Sequence, residues 1–232
     1  MRKSDFLKGI VHGIPIALGY LSVSFGFGIT AVKSGLSVLE STLISLTNLT
    51  SAGQAAGVDV IASGGTLLEM ALVQLTINIR YGLMALSLSQ KLDQSFTFPH
   101  RLAAAYGITD EIFGVCAAQS EPLRPAYMYG MIFISAFGWV AGTFLGAFAG
   151  QLLPASVSSA LGIVLYGMFL AIIIPPAKKQ KSVLCIILTA ALLSILCKYL
   201  FPQISGGFAV ILCAVSASVL GALLFPREEE SA

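Results

Sequence analysis

The sequence predicts an all-α integral membrane protein, a polytopic bundle of seven or eight transmembrane helices, some of them broken. Three observations lead there. Charged residues make up only 10% of the 232 residues, against about 25% in soluble domains. Hydrophobic residues reach 56% and the mean hydropathy is +0.89. Finally, Pro125–Ala177 and Ser182–Cys197 contain no charge at all, and the first of these holds two helices of about 20 residues with a turn between. This composition excludes an ordinary soluble enzyme and a disordered tail. A net charge of +2 is too small for a polyanion partner, so no nucleic acid is expected. The solvent of this chain is the lipid bilayer, and residues 1–232 are read as a single transmembrane transport domain without a soluble domain.

Arg2, Lys3 and Lys8 give a basic start to the apolar run Ile10–Val32. That run is longer than the core of a cleavable signal peptide and reads as a retained first span. Further spans are expected at Thr66–Ser89, Ala126–Gly150, Ala160–Ile174, Val183–Leu200 and Gly207–Phe225. Two weaker segments, Val38–Val58 and Leu102–Ala118, bring the count to eight if both cross and to seven if one is discounted. With eight crossings and a cytoplasmic amino terminus, most Lys and Arg residues fall inside, as the positive-inside rule requires. The run Lys178-Lys179-Gln180-Lys181 after Pro175-Pro176 is the strongest anchor, the prolines being expected to stop the helix. Cys116, Cys185, Cys197 and Cys213 read as reduced, apolar helix residues, and no disulfide, metal or cofactor is expected.

Gly138, Gly142, Gly146 and Gly150 recur every four residues, a small-residue ridge for close helix packing, within the chain or against another subunit. The first span carries a ragged counterpart in Ser22, Gly26 and Thr30. Its Pro15 and Gly19 invite a kink, and Phe25 and Phe27 either line an apolar pocket or face lipid.

The informative residues are polar ones in the wrong solvent. The third expected span places Glu69, Gln74, Asn78 and Arg80 within one helix. An arginine at a helix centre costs about 2.5–3.5 kcal/mol on insertion scales, so it must face a partner or a wet cavity. Glu69 shares its face but lies about 16 Å away at 1.5 Å per residue, too far to pair. The acid is therefore expected from Asp110 or Glu111. There Gly107 permits a backbone break, and Thr109 or Asp110 caps a following helix, so the segment is either a capped helix start at the surface or, since apolar sequence continues on both sides, a helix broken within the membrane. Thr50-Ser51-Ala52-Gly53-Gln54-Ala55-Ala56-Gly57 allows either close packing or local unwinding, and Gln54 is a hydrogen-bonding wall or a bond between helices.

Arg80 suits a carboxylate, and Asp110 or Glu111 suits an ammonium or a proton. A free amino acid presents such groups, although a proton path or a structural ion pair would use the same charges. Asn78, Tyr81, Thr109 and Gln54 complete the expected substrate-binding set. Asp110, Glu111 and Glu69 are the candidates for proton or ion coupling. No enzyme is expected, since His12 and His100 lie at segment ends and no HExxH or GxSxG occurs.

The order of motifs GIPIALGYLSVSFGFGITAVKSGLS, SAGQAAG, INIRYGLMALSLS and GITDEIFGV resembles the AzlC-like family of branched-chain amino acid permeases, the azaleucine-resistance exporters. The resemblance covers about residues 9–225, with its motifs ending near Val115. It implies a multi-pass transporter of the bacterial inner membrane that exports branched-chain amino acids and their analogues. It also implies a small AzlD-like membrane subunit as partner. The family's NLRH stands here as Asn78-Ile79-Arg80-Tyr81, which removes a titratable imidazole and leaves the arginine. A channel or pore subunit, or a scaffold needing a partner, remains the alternative.

Overall fold

A computed structural model describes residues 3–152 and 173–226, together with residues 154, 156, 167 and 170. The expected span Ala160–Ile174 lies almost wholly outside the described residues, as do Arg2 and Arg227. Named here in chain order, the helices are α1 (Lys3–Lys33), α2 (Val38–Thr47), α3 (Ala52–Ala62), α4 (Leu67–Ser89), α5 (Phe98–Ala105), α6 (Asp110–Ala117), α7 (Pro125–Leu152), α8 (Lys181–Leu200) and α9 (Gly206–Leu224). Among the described residues no strand occurs, and five helices are long and apolar enough to cross a membrane: α1, α4, α7, α8 and α9.

Both weak segments are interrupted helices. The expected run Val38–Val58 divides into α2 and α3 around Asn48–Ser51. Here hydroxyl and amide side chains offer the backbone an alternative to helical bonds. The Asn48 side chain accepts from the Thr50 N–H at 3.0 Å and from its hydroxyl at 2.6 Å, and Ser51 adopts φ 43°. The second segment divides into α5 and α6. The Thr109 N-cap is extended, at φ −122° and ψ 171°, and its hydroxyl accepts from the Ile112 N–H. Gly107 serves the break by closeness, because a Cβ there would strike the Ile132 side chain of α7.

Pro175 and Pro176 do not stop their helix. Residues 173–179 remain helical through both, and the interruption falls at Gln180, extended at φ −129° and ψ 116°. A proline lacks only its own N–H, and the backbone after it keeps helical bonding: the Gln180 N–H donates to the Pro176 carbonyl at 2.9 Å.

The chain forms two compact units. The first comprises residues 1–55 and 78–165, and the second residues 56–77 and 166–232. In the first, α1 and α7 lie side by side and parallel along a seam of glycines. A Cβ on Gly138, Gly142 or Gly146 would collide with the carbonyl of Ala17, Leu21 or Phe25 respectively, and Gly9 and Gly28 of α1 meet the carbonyls of Tyr127 and Thr143. The expected ridge therefore packs within the chain. Its counterpart is the Gly9–Ile29 side of α1 rather than Ser22 and Thr30, whose hydroxyls bond back to Leu18 and Gly26. Such backbone contact supplies dispersion attraction that lipid tails do not match. Pro15 lies inside the uninterrupted helix α1, and Phe27 is buried, at 1% exposure, rather than facing lipid. Ile112 and Cys116 of α6 enter the core formed by Ile16, Tyr20, Met128, Met131 and Trp139 of α1 and α7.

In the second unit α8 pairs with α9. Gly221 abuts Ile186, and the thiols of Cys197 and Cys213, both free, lie 3.9 Å apart.

Candidate functional site

The two helix interruptions of the first unit meet. Tyr106, the last residue before Gly107, donates its hydroxyl to the Leu46 carbonyl at 2.6 Å. That carbonyl belongs to the last turn of α2, where helical partners run out. One break thus supplies a donor to the orphan acceptor of the other. The crossing brings together the negative end of α2 and the positive end of α6, the arrangement by which discontinuous helices bind charged groups inside membranes.

Arg80 of α4 reaches this crossing. Its Nη1 lies 2.8 Å from Asp110 Oδ2 and 2.9 Å from Oδ1, and its Nη2 donates to the Tyr81 hydroxyl at 3.2 Å. The guanidinium also lies over the Tyr81 ring, 4.9 Å from its centre, a cation–π contact. The pair is open: side-chain exposures are 43% for Arg80 and 39% for Asp110.

Glu111, next along α6, turns to α1. The Tyr20 hydroxyl stands 2.6 Å from Glu111 Oε2 and 2.5 Å from Thr109 Oγ1. One hydroxyl has one proton, so Tyr20 donates to the carboxylate and accepts from Thr109. Trp139 of α7 packs edge-on against Tyr20 at 5.1 Å. Lys91, just beyond α4, holds the other end of α6, donating to the carbonyls of Ala117 and Gln119. A cation at a helix carboxyl end complements the macrodipole. The short helix α6 is thereby clamped at both ends by charges from one stretch of chain, Arg80 to Lys91.

Gln54 lies behind the first break and is 1% exposed. Trp139 Nε1 donates to its carbonyl oxygen at 2.7 Å, and its amide donates to Ser45 at 2.8 Å, which in turn bonds Thr143 at 2.7 Å. Of the two readings open to it, the bond between helices is the one this geometry describes: Gln54 fixes the end of α2 and the start of α3 to α7. Asn78 stands three residues before Tyr81 on α4, its amide oxygen buried. Arg80, Tyr81, Thr109, Asp110 and Glu111 therefore gather at one place, while Gln54 supports it from behind.

Glu69 belongs to the second unit. It is 3% exposed, and its Oε1 accepts from the Ser205 hydroxyl and, at 3.1 Å, from the Gly207 N–H at the start of α9. Gly65 and Gly207 flank the carboxylate so closely that a Cβ on either would press on it.

Tyr20 and Tyr106 were not singled out from the sequence. Their signal was a tyrosine amid apolar sequence, whose hydroxyl seeks a hydrogen-bond partner. At the far end of this unit, Arg124 bridges Asp5 at 3.3 Å and Asp93 at 3.4 Å, beside a cavity of about 410 Å³ that none of the crossing residues lines. Two hydrogen bonds from Ser95, hydroxyl and N–H, hold the Asp93 carboxyl below the usual range.

Residues 15–153, from within α1 to the end of α7, match the family described as AzlC protein. The chain is 32% identical over 201 residues to the inner membrane protein YgaZ of Escherichia coli K12, covering 83% of this chain and 80% of that one. It is 34% identical over 179 residues to an uncharacterized membrane protein of Archaeoglobus fulgidus, covering 76% and 78%. A membrane protein of Helicobacter pylori J99, also uncharacterized, is 23% identical over 234 residues, covering 97% and 99%. No solved structure matches. By sequence over most of its length, the chain belongs to the AzlC family of membrane proteins.

Proposed function

We propose that this AzlC-family protein is a secondary active transporter that exports branched-chain amino acids and their analogues across the bacterial inner membrane, driven by the proton-motive force. The observation that carries the proposal is the joining of two interrupted helices, through Tyr106 and Leu46, beside an open Arg80–Asp110 pair. Such a crossing presents helix ends of both signs to a ligand. An amino acid carries a charge to suit each. Its carboxylate goes to the planar guanidinium of Arg80, and its ammonium goes to Asp110, Glu111 and the carbonyl end of α2. No covalent bond of the substrate changes, so the activity is transport and not catalysis. A small AzlD-like membrane subunit completes the transporter, and the amino terminus is cytoplasmic.

Counterflow tests the proposal. Liposomes holding the full chain and loaded with unlabelled leucine should accumulate labelled leucine, with saturation. Arg80→Ala should abolish the accumulation while the protein still inserts. Ungated flow without saturation would make it a channel, and undiminished counterflow by Arg80→Ala would remove the site.

A further inference from the structure

The two adjacent carboxylates at the crossing are held differently. Asp110 has both oxygens within 2.9 Å of one guanidinium nitrogen and is electrically satisfied. Glu111 has a neutral phenol, Tyr20 of α1, at 2.6 Å. The titratable or charged groups that interact with Glu111 are Tyr20 from α1, Tyr81 from α4 and Asp110 on its own helix, with Arg80 of α4 beside Asp110 and Tyr81. Trp139 of α7, behind Tyr20, carries no charge. Arg80 is the single cation in that set, and Asp110 already holds it. Two carboxylates and one guanidinium leave one negative charge over, and in a membrane site such a charge takes up a cation. Glu111 is exposed, so a cation can reach it from outside the chain.

We propose that Glu111 is the carboxylate for which the substrate's ammonium group and a proton compete, so that binding one releases the other. This rests on the transport reading above and names its coupling step. Protonated Glu111 holds its proton in an O–H bond. When an amino acid docks, that bond breaks, the proton leaves to water on the side where the site is open, and the carboxylate faces the ammonium. Reprotonation from the opposite side expels the amine, because a neutral carboxyl offers an ammonium no opposite charge. Tyr20, whose hydroxyl lies 2.6 Å from that carboxylate, is the neighbour through which the exchange can be probed.

Leucine binding to the purified full chain, measured across pH with a proton-release indicator, tests this. In the wild type, apparent affinity should fall about tenfold per pH unit on the acid side, with one proton released per leucine bound. Glu111→Gln should bind more weakly, without pH dependence and without proton release. Tyr20→Phe should move the pH dependence, a shift that a purely structural tyrosine would not produce. A tenfold-per-unit slope surviving in Glu111→Gln would overturn the proposal, as would an unmoved profile in Tyr20→Phe, which decides the matter if Glu111→Gln fails to fold or to bind. Wild-type binding and counterflow without pH dependence would sink the coupling step alone, whereas absence of counterflow in the wild type would sink the transport reading itself.

Discussion

Helix α4 carries a charge in each unit, and the protein accommodates the two in opposite ways. Glu69, in the second unit, is sealed at 3% exposure between two glycines, its oxygen committed to the hydroxyl and N–H that open α9. Arg80, in the first, is 43% exposed and held by one carboxylate from the edge of a helix break. A carboxylate oxygen engaged in that way is part of a helix cap. A guanidinium with N–H groups still available, above a tyrosine ring, can accept a second acid without the fold coming apart. The same membrane penalty thus yields a structural joint in one place and an exchangeable contact in the other.

The contrast can be broken most severely at the frame behind Arg80. Gly146→Leu would drive a side chain into the Phe25 backbone, and overpacking of this kind costs about 1–3 kcal/mol even where side chains can shift. Against backbone the loss should exceed that, and size-exclusion profiles should show little folded protein. Glu69→Ala comes next. It strands the Ser205 hydroxyl and the Gly207 N–H, a penalty of about 1–3 kcal/mol, which a thermal melt in detergent should report. Arg80→Ala in the same melt should change little, because the half-exposed pair contributes modestly. Equal destabilisation by the two would erase the distinction drawn between them. The smallest effect belongs to the end of the first unit where Arg124 bridges Asp5 and Asp93. Asp93 has a lowered pKa through its bonds from Ser95, so its stabilising contribution is complete above the ordinary carboxylate range and disappears as pH falls through the lowered value. Ser95→Ala should therefore melt slightly below wild type at neutral pH and converge with it in acid.

Five of the expected spans and the second interruption were legible because their causes are local: a run of apolar residues, a glycine, then a threonine cap ahead of two acids. The Arg80–Asp110 pair was legible for another reason, that a cation within an apolar helix must be answered and few acids were on offer. What could not be read was the identity of distant partners. Nothing near Glu69 points to Ser205, and nothing near Leu46 points to Tyr106, because hydrogen bonds across such separations depend on how whole helices are placed. The glycine ridge on α7 announced a close neighbour without naming α1. The double proline misled because a proline removes only its own N–H, while its carbonyl still accepts from the residue four further on, as Pro176 does from Gln180.

The seam between α1 and α7 also bears on how the chain is threaded. Gly9 meets Tyr127 near the start of both helices and Gly150 meets Ile29 near their ends, so the two point the same way. For two membrane-crossing helices with a common direction, the polypeptide between them must traverse the bilayer an odd number of times. With α4 as one traverse, the interrupted pairs α2–α3 and α5–α6 either both make the passage or both turn back, and a threading in which only one of them does is forbidden.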